Sequence, residues 1–503
     1  MSLTGFSFFV FLIITLIAYY AIKPLQKYIL LIASVYFYIK LSTVSTVKLC
    51  ILMAFMMLVT YLGGILTGKT KGALKTVIFS LSLASIIAVL FVLKYAFNIF
   101  SIVISLFKLN AGISWLQFVP VAGLSYYALT AIGYLIDVYW GNYEPEKNPA
   151  NIGLFIFYFP QLISGPFTRY SEMKDQFNAR TPLLYENIVN GMRRMAWGYF
   201  KKLVISERFG VIVSAVYANY TDYSLVGIVI ATLCYAVQLY TDFSGCMDII
   251  MGCSEMFGIN LPENFKAPFF SESLQEFWQR WHITLGGWFR DYFMYPVQKS
   301  KPVRAIGNGI KKIIGKKRGK KAPFYISMIL LWLLIGLWHG GTGYFFLASA
   351  GFPCMLLILS DLLRPLFEKL VTVFKINTEC GSWRWFRRIR TAFLVSICWI
   401  VACAGSVPRA VDIHKHMFTD LWNYREITSL LNTFGLTSLD VIIMVVGLVL
   451  LFISDRCIFR ETTIFKVMDK QNAVFRIALI YAEVMIILLY GMVGTSSFIY
   501  FKF

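Results

Sequence analysis

Two of the four histidines in this 503-residue chain lie in strongly apolar surroundings. One is His339, in "LIGLWHGGTGYFF" (Leu334 to Phe346), preceded by Trp338 and followed by Gly340, Gly341 and Gly343. An ionisable group in a membrane-like run is costly, and so is a functional candidate by default. A neutral imidazole near pH 7 takes a proton from a hydroxyl, which makes His339 a candidate general base. The glycines allow backbone to approach a ligand closely. Amides near Gly340 and Gly341 are candidate donors to a developing oxyanion. A hydrogen-bonded structural histidine inside a helix bundle fits the same pattern.

The second histidine, His282, lies in "SESLQEFWQRWHITLGGWFRDYFMYP" (Ser271 to Pro296). Ser273 and Glu276 have capping-box spacing. Leu274, Phe277, Trp278, Trp281, Leu285, Trp288 and Tyr292 then recur mostly at steps of three and four, a helical stripe. The pattern predicts one aromatic-rich amphipathic helix at the membrane interface, able to dip at Gly286 and Gly287. Packing explains the stripe, but explains His282 beside Trp281 less well. Arg290 and Asp291 read as a structural pair. Asp242 and Asp248, in "LYTDFSGCMDIIMGCSEMFG", need partners in an apolar run. Proton relay, substrate contact and pairing with an arginine all remain open, with pairing favoured. His414 and His416 form a weak i, i+2 metal pattern, and no metal site is expected. The nine cysteines include no C-x-x-C pair and read as buried thiols. Nucleotide-loop, dinucleotide, serine-elbow and zinc-protease motifs are absent.

The elements that must position these groups follow from composition. The chain is 58% hydrophobic and 15% charged, against about 25% charged in soluble domains. It is read as an all-α polytopic membrane protein with about ten to twelve crossings, plus shorter re-entrant or interfacial helices. The first apolar segment, Gly5 to Ala21, lacks a basic leader and a small-residue cleavage site, so it is expected to remain as a span. Net charge is +21, concentrated between apolar segments, which points to membrane lipid rather than nucleic acid. Lysines 23, 27, 69, 71 and 75 mark cytoplasmic loops and place the N-terminus outside.

The run Lys299 to Lys321 carries ten Lys or Arg and no acid. With "RWFRRIR" (Arg384 to Arg390) it reads as a cytoplasmic loop. The stretch 324–363 therefore leaves and returns to the same side, as two crossings or a hairpin with "WHGGTG" at the bend. Phe324 to His339 spans roughly 22 Å as helix. The polar stretch 168–202 reads as a cytoplasmic linker with an amphipathic helix. No internal repeat is visible, which counts against an inverted-repeat transporter.

Five blocks resemble the membrane-bound O-acyltransferase superfamily, in the bacterial branch of the alginate O-acetyltransferase membrane subunit. They are residues 120–141, 158–170, 240–296, "GLWHGGTGYFF" (336–346) and the terminal "FIYFKF". The likeness spans nearly the whole chain, 1–503, as a single domain and is strongest over 117–346. It implies a ring or bundle of membrane helices around a tunnel, with His339 as catalytic base and His282 as a second signature residue. It implies no bound cofactor, but an acyl thioester co-substrate, acyl coenzyme A or an acyl carrier protein, arriving from the cytoplasmic side. The acceptor is expected to be hydroxyls of an extracellular or cell-wall polysaccharide, reached directly or through a secreted partner acyltransferase. Acetyl is the expected group and the plasma membrane the expected location. D-alanyl transfer to teichoic acid is less well matched by the local wording. A transporter or flippase of acyl groups or lipid-linked sugars, and a non-catalytic scaffold, are the rival classes. The likeness does not assign the basic insert 299–321.

Overall fold

In lipid, backbone groups must be satisfied within the chain, which leaves helices as the economical answer for a sequence this apolar. The computed structural model describes residues 1–107, 121–315, 319–340, 346–422, 436–493 and 498. Among these the elements are helical, apart from one isolated antiparallel bridge between Phe265 and Trp281. Among the described residues seven helices are long and apolar enough to cross a membrane: Thr46–Lys69, Gly72–Tyr95, Leu225–Glu255, Ala322–His339, Ser349–Val373, Ser438–Phe459 and Ala473–Tyr490. Phe6–Ala21 and Lys23–Leu41, bent by 111°, would add an eighth if they form one span. The expected ten to twelve is higher because it counted shorter apolar segments. Pro149–Phe157, for example, folds as a helix of 9 residues, below a full crossing.

The chain divides into two compact units. One comprises Met1–Trp197 and Met247–Pro262; the other comprises Gly198–Cys246 and the described residues of Glu263–Ile499. In the first, Thr46–Lys69, Gly72–Leu90 and Leu124–Trp140 pack on one another. Phe11, Phe37 and Phe159 form an aromatic nest. Asp248 is paired with Arg194 at 3.0 Å, the arginine pairing favoured from sequence.

The second unit holds both histidines of interest. Its Ala322–His339 helix pairs with the helix continuing to Val373 as an antiparallel hairpin. Gly336 lies against Ala350 and Phe346, so closely that a Cβ there would sit 2.8 Å from the Ala350 methyl. Trp332 and Met328 share a cluster with Ala350 and Cys354, and Tyr325 donates to Asp361. The contacts thus run in opposite directions along the two helices, as the loop-charge argument expects.

Three sequence expectations change. The stretch 168–202 carries the expected amphipathic helix, Tyr185–Tyr199, but is more than a linker, because its end enters a buried π-helical turn, Phe200–Ser206. There Lys202 Nζ lies 2.6 Å from Asp242 Oδ1 and 2.5 Å from Glu207 Oε1, so Asp242 pairs with a lysine rather than an arginine. The insert 299–321 is not a loop: more than half of it is a helix, Lys301–Ile314. Arg384 to Arg390 likewise lie within a helix, Gly381–Cys398. Charge between apolar segments indicates a side of the membrane, not a backbone conformation.

Candidate functional site

The aromatic stripe around His282 is not one helix. Leu274–Arg280 stops, and Ile283–Phe289 starts afresh. The break falls at His282, with φ +48° and ψ 52°, rather than at Gly286 and Gly287. A left-handed conformation costs a non-glycine residue roughly 1–2 kcal/mol, and persists where surrounding contacts over-determine it. Asn264 supplies those contacts. Its carbonyl accepts from Ile283 N at 3.0 Å, and Lys266 N donates to Arg280 O at 3.0 Å. The strand-like segment from Asn264 to Lys266 therefore holds the chain on both sides of the break. Ser273 caps Leu274–Arg280 through Glu276 N, but Glu276 reaches the amide of Glu272, so only half of the expected capping box forms.

The side chain of Asn264, fully buried, fixes the imidazole too. Its Oδ1 accepts from Thr284 N at 3.2 Å and from Thr284 Oγ1 at 2.9 Å, and lies 3.1 Å from His282 Nδ1. A backbone N–H can only donate, so this atom is the amide oxygen and not the nitrogen. His282 Nδ1 therefore carries the proton, and Nε2 is the basic nitrogen. The Phe243 ring meets the imidazole edge-on at 4.8 Å. Burial holds the His282 pKa well below its ordinary value of 6.5, and positive charge on His339 would lower it further.

His339 ends its helix and is half-buried. Its ring lies 4.8 Å from that of Trp338, which is buried and lies 6.4 Å from Phe289 at the far end of the helix that His282 begins. The carbonyl end of a helix favours positive charge. Gly340 stops the helix at φ +155°, a conformation that suits glycine. Its amide donates to Leu337 O at 3.2 Å. In this arrangement that amide is engaged within its own helix end. Gly341 lies outside the described residues.

The remaining candidates separate. Arg290 and Asp291 pair with each other at 3.1 Å, with the arginine about half exposed. Asp242 is fully buried on Lys202, one residue before the Phe243 that touches His282. His414 Nδ1 and His416 Nε2 bond the carbonyls of Ala410 and Tyr223. Among the described residues no three His, Cys, Asp or Glu side chains gather as a metal-ligand set. Sequence reasoning missed Asn264, Thr284 and Lys202. The only sign of Asn264 was its place in the long 240–296 block, since a lone asparagine before an apolar run has no spacing rule to mark it.

The membrane-bound O-acyltransferase family model matches residues 147–306, which include Asn264 and His282. The chain is 30% identical over 380 residues to the probable alginate O-acetylase AlgI of Pseudomonas putida, covering 75% of this chain and 71% of that one. It is 33% identical over 326 residues to the namesake protein of Pseudomonas syringae pv. tomato, covering 65% of this chain but 56% of the relative, little more than half its length. It is 33% identical over 247 residues to the peptidoglycan O-acetyltransferase of Helicobacter pylori, covering 44% of each.

Proposed function

The chain belongs to the membrane-bound O-acyltransferase family, and from that premise we propose that it moves an acyl group, acetyl by preference, from a cytoplasmic thioester to hydroxyls of an extracellular or cell-wall polysaccharide. Transfer is direct or runs through a secreted partner, and the protein works in the plasma membrane with its N-terminus outside. The observation that carries the reading is the pair of histidines: one fixed in tautomer by Asn264, the other presented at a helix end whose Trp338 meets Phe289 of the helix that His282 begins.

His339 takes the proton from the acceptor hydroxyl as its oxygen attacks the thioester carbonyl. The tetrahedral intermediate collapses by breaking the carbon–sulfur bond, and the proton passes from His339 to the departing sulfur. The products are an ester and a free thiol. His282 has a narrower role than polarising the carbonyl. With its proton on Nδ1 and bound to Asn264, it accepts at Nε2 and so orients a hydroxyl or an amide N–H of a substrate. Trp338 fixes the helix end that carries His339 against Phe289.

The test is surface-glycan mass analysis of cells carrying wild type or His339→Ala, with membrane insertion checked for both. Loss of an O-acetyl group in the variant is expected. Retained acylation would sink the catalytic assignment, and loss of D-alanyl in place of acetyl would move the chain to the teichoic-acid branch.

A further inference from the structure

A cavity of about 620 Å³ opens beside the helix Lys301–Ile314. Lys299, Arg304, Lys311 and Lys320 line it, no carboxylate does among the described residues, and Tyr295 and Phe324 flank it. That volume lies in the range of small-molecule sites. None of these four cations makes an ion pair with a described acid, whereas neighbouring Lys321 holds Asp361 at 2.6 Å. The other basic segment is built differently, because Arg387 and Arg388 both reach Glu272. Four unneutralised cations around one concavity repel one another and favour a multiply charged anion. Phosphate oxygens are the usual match for such donors.

The direction of the cavity separates a soluble anion from a lipid headgroup. On Lys301–Ile314, Ile306 and Ile313 are exposed, 54% and 84%, and Ile310 joins their stripe. Arg304, Asn308 and Lys311 lie on the roughly opposite side at 3.6 residues per turn. An interfacial helix turns its apolar stripe to lipid, so the cavity opens towards water. Two half-exposed rings, Tyr295 and Phe324, suit a planar base. Phe324 also lies in the first turn of the helix that ends at His339, roughly 22 Å away along it. A ligand anchored here needs a long arm to bring an acyl group to His339.

We infer that this cavity binds the phosphates of a soluble coenzyme-A-type thioester, an inference that rests on the acyl-transfer reading above. The concave site favours this small donor over the surface of a carrier protein.

The experiment is coenzyme A binding to the full chain in phosphatidylcholine nanodiscs, with and without added phosphatidylglycerol. Arg304→Ala combined with Lys311→Ala should weaken binding at least tenfold, and rising salt should weaken wild-type binding. In wild type, coenzyme A should shield Lys299, Lys311 and Lys320 from amine labelling, a readout that needs no variant to fold. His339→Ala should bind coenzyme A as wild type does while losing acyl transfer. Unchanged affinity in the folded double variant, unshielded lysines, or shielding only by phosphatidylglycerol or a phosphopantetheine-bearing carrier protein would overturn the inference. Shielding by coenzyme A without any acyl transfer in wild type would keep the site and remove the acyl-transfer reading.

Discussion

His282 and His339 share a side chain and are held in opposite ways. His282 sits off any helix at φ +48°, 4% exposed, with one nitrogen tied to Asn264. His339 is the last residue of a membrane-length helix, half-buried, with Gly340 releasing the backbone beyond it. A ring fixed by a buried amide keeps its tautomer and resists charging. A ring at the carbonyl end of a helix can hold the charge it gains in a proton transfer. The difference suits the two roles proposed above, an orienting one for the fixed histidine and a proton-exchanging one for the presented one.

The comparison breaks most clearly at His339. His339→Ala should lower the acyl-transfer rate about 10²- to 10⁴-fold, measured per inserted protein. His339→Gln should do the same, since a pure conduit would tolerate the amide and a base would not. Next comes Asn264→Ala, which leaves the buried Thr284 and His282 donors without their acceptor. It should cost about 1–3 kcal/mol of stability per orphaned group, read as a lower melting temperature, and slow transfer at least tenfold. Asn264→Asp should instead shift the acid limb of the rate profile upward, because a carboxylate stabilises charged His282. A merely structural Asn264 would leave that limb in place.

Gly340→Ala tests the other histidine. The strained φ should cost roughly 1–3 kcal/mol and lower turnover. A nuclear magnetic resonance signal from labelled His282 should remain unmoved. The smallest effect concerns pH. The buried His282 has a pKa below 6.5, while the unfolded ring titrates near 6.5. Between those values the unfolded chain binds more protons, so stability rises with pH. The contribution is whole above pH 6.5 and is lost as the pH falls below it. His282→Asn tolerates the left-handed backbone and cannot titrate, so its melting temperature should lose that slope between pH 7.5 and 5.

Several features were legible before any coordinates. The Ala322–His339 hairpin follows from basic charge on both flanks, and the Ser273 cap from local spacing. Asp248 found its arginine, Arg194. The break at His282 was illegible for a particular reason. A single left-handed residue lets the apolar spacing continue on either side, so Trp281 and Leu285 read as one stripe. Lys202 was misplaced because a polar stretch reads as solvent-exposed; of its buried partners, Glu207 follows on the same helical run and Asp242 comes from another helix.

The sequence by itself determined an all-helical membrane chain, the approximate spans and which histidines stand in apolar surroundings. These depend on local composition and periodicity, which the cost of exposing backbone and charge to lipid makes decisive. Only the tertiary structure decided which nitrogen of His282 bears its proton, and that one basic segment is neutralised while the other lines a cavity. Each depends on an atom supplied by another part of the chain: Asn264 eighteen residues before His282, or Glu272 more than a hundred before Arg387. Hydrogen bonds and ion pairs act over a few ångströms in space, and sequence spacing carries no record of contacts made across such separations.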